Sequence, residues 1–111
     1  MAAPTLGTLE LTILLAVARL GEDAYGLAVR RDLASRTGRD YSVGAVYTTL
    51  ERLESKGFVR SRRGQPLPER GGRSRRLFRV TAAGRAAIRR AERIALQVWA
   101  GVGTTLNPEG T

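Results

Sequence analysis

The sequence contains no cysteine and no histidine among its 111 residues. Their absence excludes disulfide bonds, zinc sites built from these ligands, Cys or His nucleophile systems and a histidine pH switch. Serine and threonine hydroxyls therefore have no histidine base, the carboxylates show no paired spacing, and no glycine-rich phosphate loop follows a predicted strand. We expect a binding protein rather than an enzyme, with no cofactor and no metal.

Long apolar runs are also missing. The start, MAAPTLGTLE, lacks a basic n-region, and the apolar run after it is interrupted by Glu10, Thr12 and Arg19. This pattern predicts neither a signal peptide nor a membrane span, and it favours the cytoplasm.

Lysine is nearly absent, yet the chain is strongly basic. Its 19 Lys+Arg residues include one lysine, Lys56, and face 10 Asp+Glu, which leaves a formal net charge of +9. Arginine pairs bidentately with phosphate and with guanine edges. The charge favours a polyanionic partner, either nucleic acid or an acidic membrane surface, and a merely soluble basic surface is the alternative.

The first predicted helix runs from about Thr8 to Leu20 and ends at Gly21. It carries one apolar stripe at Leu9, Ile13, Val17 and Leu20 and an opposite stripe at Leu11, Leu14, Leu15 and Ala18. A helix that is apolar nearly all round must be covered on both sides. In a single small domain, we expect a second copy of the chain to cover the second stripe.

A helix-turn-helix arrangement is predicted next. A second helix within AYGLAVRRDLASRTG ends at Gly38, and a third begins after Ser42, which is placed to cap its first turn. The core face of the third helix is expected to contain Val43, Val46, Leu50 and Leu53. In this arrangement the second of the two helices enters a major groove, although any helical hairpin shows the same spacing.

The pattern then changes to two short strands, FVRSRR and RRLFRV, joined by the predicted tip GQPLPERGGRS. The hairpin contains eight arginines: Arg60, Arg62, Arg63, Arg70, Arg73, Arg75, Arg76 and Arg79. Guanidinium groups on such a loop are suited to a phosphate backbone or a minor groove, and a solvated arginine-rich loop is the alternative.

A last helix, capped by Thr81, is predicted from about Ala82 to Ala100. Its apolar stripe is too wide for packing on one small domain, so it predicts a symmetric dimer built from both ends of the chain. The predicted fold is mainly α with a small β-hairpin. It comprises a winged helix-turn-helix domain (1–81), an added C-terminal dimerisation helix (82–100) and a flexible tail (101–111).

Three segments, LGTLELTILLAVARLGEDAYGLAVRRDL, GAVYTTLERLESKGFV and RRLFRVTAAGR, together resemble the PadR family of bacterial transcriptional regulators. The run from Gly44 to Glu54 followed by Gly57 is the most specific element, and Thr81-x-x-Gly84-Arg85 is the second. The proline-rich tip departs from the family pattern, and the single last helix resembles the small PadR subclass.

The resemblance implies a homodimer on double-stranded DNA, with two recognition helices in successive major grooves of a roughly palindromic operator. Such regulators usually repress transcription. A non-specific basic module for nucleic acid or the ribosome, or a winged-helix protein-interaction domain, would keep the fold and lose operator specificity.

The predicted DNA contacts lie in the first two turns of the third helix and in the wing. On the helix they are Ser42, Gly44, Ala45, Tyr47, Thr48 and Thr49, and in the wing they are Arg70, Arg73, Arg75 and Arg76. Gly44 and Ala45 allow close approach, and Thr48 is placed for a base edge. Tyr47 is expected to donate to a phosphate or to pack against the wing.

The predicted dimer interface contains Leu11, Leu14, Leu15, Ala18, Ile88, Ala95 and Trp99. In small PadR proteins that this chain resembles, an aromatic side chain at the position of Trp99 can line a flat cavity between subunits. The resemblance thus implies a planar aromatic effector bound at Trp99. An interface anchor is the alternative, because tryptophan is enriched at interfaces.

Overall fold

Helices dominate residues 5–66 and 74–106, which are the part of the chain that our computed structural model describes. The elements are α1 (Thr8–Leu20), a short 3-10 helix (Gly21–Asp23), α2 (Gly26–Thr37), α3 (Val43–Ser55), β1 (Val59–Pro66), β2 (Ser74–Val80), α4 (Ala82–Trp99) and α5 (Val102–Leu106). The predicted fold class, mainly α with a small β-hairpin, is confirmed.

Side-chain caps begin two of the helices as the sequence predicts. The Ser42 hydroxyl accepts a hydrogen bond from the Ala45 N–H at 3.0 Å, and the Thr81 hydroxyl accepts one from the Gly84 N–H at 3.0 Å. Each cap satisfies an N–H group that has no partner within the first helical turn. The Thr81 hydroxyl also donates to the Gly57 carbonyl, which joins α4 to the residues before β1.

The core lies where α1, α2 and α3 meet the base of the hairpin. Its largest fully buried side chains are Ile13, Leu14, Val17, Val29, Leu33, Val46, Leu50, Leu53 and Phe78. Burial of these side chains from water is the main force that stabilises the arrangement. Leu14 is therefore a core residue, and its predicted place in a dimer interface is wrong because its side chain is fully enclosed within its own subunit.

The hairpin is fixed to the segment before α2. Its antiparallel strands pair Val59 with Val80 and Ser61 with Phe78. The Phe78 N–H donates to the Ala24 carbonyl at 2.8 Å, and Tyr25 forms an isolated bridge with Leu77. This segment thus provides a short third partner beside β2 and holds the wing against the helices.

The first strand is longer than predicted. It continues through Gly64 to Pro66, which the sequence assigns to the tip, and its register shifts between Arg63 and Pro66. An irregularity of this kind accommodates an extra residue and a proline at the end of a strand.

Most of the C-terminal part, from α4 onward, lies outside the core. Of α4, only Gly84 and Ala87 are buried, and its later turns are exposed. Val102 to Leu106 form the short helix α5 where a flexible tail is predicted, while residues 107–111 lie outside the described ranges. Within those ranges no helix combines the length and the apolar character needed to cross a bilayer.

We expect Gly84→Ala to lower the free energy of unfolding by about 1–3 kcal/mol. A β-carbon at Gly84 would lie 2.7 Å from Cγ1 of Val80 and even closer to the Phe58 carbonyl oxygen, so the backbone would have to move. Urea unfolding at fixed protein concentration measures the change. Gly44→Ala is the control, because a β-carbon there meets open space and alanine favours a helix. Equal stability of wild type and Gly84→Ala would contradict the close-approach argument.

Candidate nucleic-acid interface

The N-terminal half of α3 presents a surface of small and hydroxyl-bearing residues. Ser42, Gly44 and Thr48 are exposed, and Ala45 is half-buried beside them. Val43, predicted for the core face, is 42% exposed and belongs to the same surface. The sequence misses it because an apolar residue at the start of a helix is assigned to the core by its spacing, whereas the core here begins one turn later at Val46.

Thr49 does not belong to this surface, and its predicted DNA contact is wrong. Its side chain is only 4% exposed. Its hydroxyl donates to the Ala45 carbonyl one turn earlier at 2.8 Å, which satisfies the buried polar group within the helix.

Tyr47 packs at the start of α2. Its ring lies so close to Gly26 that a β-carbon at Gly26 would be 2.5 Å from the tyrosine hydroxyl oxygen. The residue is half-buried and contacts the core. The absence of a side chain at Gly26 thus makes room for the Tyr47 ring, and Tyr47 lies at the edge of the exposed surface.

Two of the four predicted wing arginines, Arg70 and Arg73, lie outside the described residues. Arg76 is engaged within the protein. Its guanidinium lies 2.7 Å from a carboxylate oxygen of Glu54 and 3.6 Å from one of Glu51, and it also stacks over Phe78. These carboxylates offset part of its positive charge, and its role as a DNA contact stays a prediction.

Arg75 is held differently from its neighbour. Its guanidinium carbon lies 4.3 Å from the centroid of the Tyr25 ring. An aromatic face attracts a guanidinium without cancelling its charge, so Arg75 keeps its capacity to pair with an anion.

Glu54 joins α3 to the hairpin. It accepts hydrogen bonds from the Ser61 main-chain N–H at 2.9 Å, from the Ser61 hydroxyl at 2.8 Å and from Arg76. The main-chain bond from Ser61, with its hydroxyl and the Arg76 guanidinium, holds the pKa of Glu54 below its ordinary value of 4.5. The carboxylate therefore fixes the position of the wing relative to α3.

Glu54→Gln should lower the free energy of unfolding at neutral pH by about 1 kcal/mol. Because the folded-state pKa is lowered, the contribution of the carboxylate is complete above about pH 4.5 and is lost as the pH falls through the folded-state value. The difference between wild type and variant, measured by urea unfolding across this range, should therefore shrink at acid pH. Glu51→Gln, at an exposed and more distant carboxylate, should have a smaller effect. A difference for Glu54→Gln that stays constant down to pH 3 would contradict the assignment.

The turn before α3 supplies contacts that the sequence analysis missed. Arg30 donates through Nε to the Tyr41 carbonyl at 2.6 Å and through Nη2 to Asp40 at 3.0 Å. Arg39 is exposed, and its guanidinium carbon lies 5.2 Å from the centroid of the Tyr41 ring. Arg39 and Tyr41 lie two residues apart in the sequence, whereas the contacts of Arg30 with Tyr41 and Asp40 join residues 10 to 11 positions apart and depend on how α2 packs beside this turn.

Positive charge collects on the hairpin. Within the described residues, carboxylates pair with Arg19, Arg30, Arg36, Lys56 and Arg76. Arg60 lies directly opposite Arg79 across the strands, both are exposed, and neither has an ion-pair partner in the described part of the chain. Like charges directly opposite each other destabilise a hairpin, so this arrangement favours an anionic partner.

A second surface lies on α4. Large apolar side chains there are exposed, with Ile94 at 50%, Leu96 and Val98 at 68% and Trp99 at 70%. Ile94, Val98 and Trp99 border a groove of about 450 Å³ that Leu6 also lines. Of the other predicted interface residues, Leu11, Leu15 and Ile88 are half-buried and Ala18 and Ala95 are exposed, so all five retain accessible surface.

Comparison with known proteins identifies the family that has this combination of helices and strands. The family pattern described as the transcriptional regulator PadR-like family matches residues 13–90 and so includes α2, α3, the hairpin and the start of α4. The chain belongs to the PadR-like family. The Thr81-x-x-Gly84-Arg85 motif lies within the match, whereas the exposed apolar positions from Ile94 onward follow it.

Individual PadR-like proteins are similar to this chain in sequence and in fold. The transcriptional regulator Rv3488 of Mycobacterium tuberculosis is 41% identical over 66 residues, which are 60% of this chain and 57% of that protein. The alignment therefore spans little more than half the length of this curated relative. A PadR family transcriptional regulator of Eggerthella lenta has a crystal structure with a TM-score of 0.68 and 30% identity, over 88% of this chain and 87% of that chain.

A more distant structure shows the same fold. The PadR family transcription regulator of Clostridium difficile has a TM-score of 0.66 at 20% identity, over 95% of this chain and 100% of that chain. The winged-helix architecture is thus shared over nearly the whole length described for this PadR-like protein.

Proposed function

We propose that this PadR-like protein is a sequence-specific DNA-binding regulator that represses transcription as a homodimer on a roughly palindromic operator. The observation that carries the proposal is the exposed surface of small and hydroxyl-bearing residues on the N-terminal half of α3, in a strongly basic winged helix-turn-helix chain. Repression needs only occupancy of a promoter, and the protein acts in the cytoplasm without a catalytic step.

The proposed DNA contacts begin at the cap of α3. Gly44 and Ala45 let the helix approach the base pairs closely, and Ser42 donates to a phosphate. Thr48 points away from the core and contacts a base edge, while the exposed Val43 side chain suits a thymine methyl group. Arg75 from the wing contacts a phosphate, and Tyr47 at the edge of the surface donates to another.

The proposed dimer forms through α1 and α4. Ile94, Val98 and Trp99 are exposed on one side of α4 and form an apolar patch of the kind that marks an interaction surface. Leu11, Leu15 and Ala18 add accessible apolar surface on α1. A two-fold interface uses the same surface on both subunits, and two recognition helices one helical turn of DNA apart require such symmetry.

A planar aromatic effector is the proposed means of release. Trp99 borders the groove of about 450 Å³, which is also lined by Ile94, Ala95, Val98 and the basic residue Arg90. Tryptophan faces stack on planar rings. Fluorescence of Trp99, the single tryptophan, reports binding directly. No response to a panel of planar aromatic compounds would leave Trp99 as an interface anchor alone.

Titration against the upstream intergenic DNA of its own gene and against a scrambled duplex tests the operator claim. Fluorescence anisotropy at several salt concentrations should show tighter binding to the upstream DNA by at least about a thousandfold. Equal affinity for both duplexes, with the same steep salt dependence, would instead identify a general nucleic-acid-binding module.

A further inference from the structure

Two neighbouring arginines of β2 are held in opposite ways. Arg76 forms an ion pair with Glu54 at 2.7 Å. Arg75 stacks on the neutral ring of Tyr25 at 4.3 Å and forms no salt bridge within the described residues. The fold thus uses one arginine to attach the wing to α3 and leaves the next one charged but restrained.

Tyr25 is itself fixed by the surrounding backbone. It is half-buried and bridges to Leu77 of β2, while the preceding residue, Ala24, accepts a hydrogen bond from the Phe78 N–H. The following residue, Gly26, lies against the ring of Tyr47 on α3. Tyr25 therefore connects the wing strand that carries Arg75 with the recognition helix.

We propose that Tyr25 is a positioning residue that holds the Arg75 guanidinium in place for a DNA phosphate beside the recognition helix. The inference rests on the proposed DNA-binding function and assigns a role to a residue outside the predicted interface. An arginine side chain loses much rotamer freedom when it is immobilised. A ring that restrains it before DNA arrives lowers this entropic cost and leaves the outer N–H groups available to phosphate oxygens.

The test compares Tyr25→Leu, Tyr25→Phe, Arg75→Ala and the double variant Tyr25→Leu/Arg75→Ala in the full chain. Anisotropy with operator and scrambled duplexes should show about fivefold weaker binding of both by Tyr25→Leu. Tyr25→Phe, which keeps the ring, should bind like wild type. Arg75→Ala should bind at least as weakly and should reduce the salt slope by about one. Adding Tyr25→Leu to Arg75→Ala should cause no further loss of DNA affinity.

A second measurement follows Arg75 directly in the free protein. Nitrogen-15 relaxation of the Arg75 Nε–H group should show a restrained side chain in wild type and Tyr25→Phe and a mobile one in Tyr25→Leu. This result distinguishes positioning from a general effect on the fold, which unfolding measurements on the same variants report.

Two results would overturn the role of Tyr25. One is a loss of DNA affinity on Tyr25→Leu that is as large in the Arg75→Ala variant as in the wild type, which would show that the ring acts through the fold. The other is wild-type affinity in a folded Tyr25→Leu variant. A wild-type protein that binds neither duplex would instead refute the DNA-binding function on which the inference rests.

Discussion

Replacement of Ile94 and Val98 by glutamate will convert the proposed dimer into a monomer and lower operator affinity by more than about a hundredfold. Both side chains are at least half exposed in the isolated subunit, so the charges disturb no internal packing. In a dimer they would be buried without a partner, which is costly. DNA affinity falls because a monomer binds only one half-site and lacks the contact that a linked second subunit makes with the other half-site.

Sedimentation velocity at micromolar concentration measures the first effect, and operator titration measures the second. Gln97→Glu is the control for added charge, because it places one carboxylate on an exposed polar position of the same helix. A wild-type protein that sediments as a monomer would contradict the dimer, as would a double variant that remains dimeric.

The second large effect is expected on the surface of α3. Gly44→Glu should abolish operator binding, with affinity lowered by at least about a hundredfold, and leave the fold intact. A β-carbon at Gly44 meets open space, so the folded monomer accommodates the side chain. In the groove, however, a carboxylate would face phosphates and acceptor edges of bases. Anisotropy with the operator measures the loss, and circular dichroism verifies the fold.

Two conservative variants refine this experiment. Gly44→Ala adds one methyl group without charge and should weaken binding much less. Thr48→Ala should alter the preference among operator sequences more than it alters the salt slope, since it removes a base contact rather than a phosphate contact. Full operator binding by Gly44→Glu would place the DNA interface elsewhere on the protein.

Helix caps, a helix end and core positions were predicted correctly from the sequence because they depend on residues that are close together in the chain. The caps at Ser42 and Thr81, the end of α1 at Gly21 and the core positions Leu50 and Leu53 all lie where the pattern predicts them. Each follows from hydrogen bonding within one turn or from the spacing of apolar residues.

The errors concern residues whose surroundings are set by distant parts of the chain. Leu14 and Thr49 are enclosed by the packing of α1 and α3, although their positions along each helix are compatible with either side. The ion pair of Arg76 with Glu54, 22 residues earlier, is not an error of prediction but is likewise set by tertiary packing, because the hairpin folds back beside α3. The sequence alone does not predict this contact, because the two residues are far apart in the chain.

The sequence by itself therefore determined the family, the order of the elements, the basic character of the hairpin and the helix that presents the candidate interface. The tertiary structure alone decided which arginines pair with carboxylates, because most of these partners are near in space and distant in sequence. It also decided which helix faces are open, since burial depends on what packs against each face. For that reason Arg75 and Arg76, adjacent and chemically identical, have different surroundings: one stacks on Tyr25, and the other is paired with Glu54.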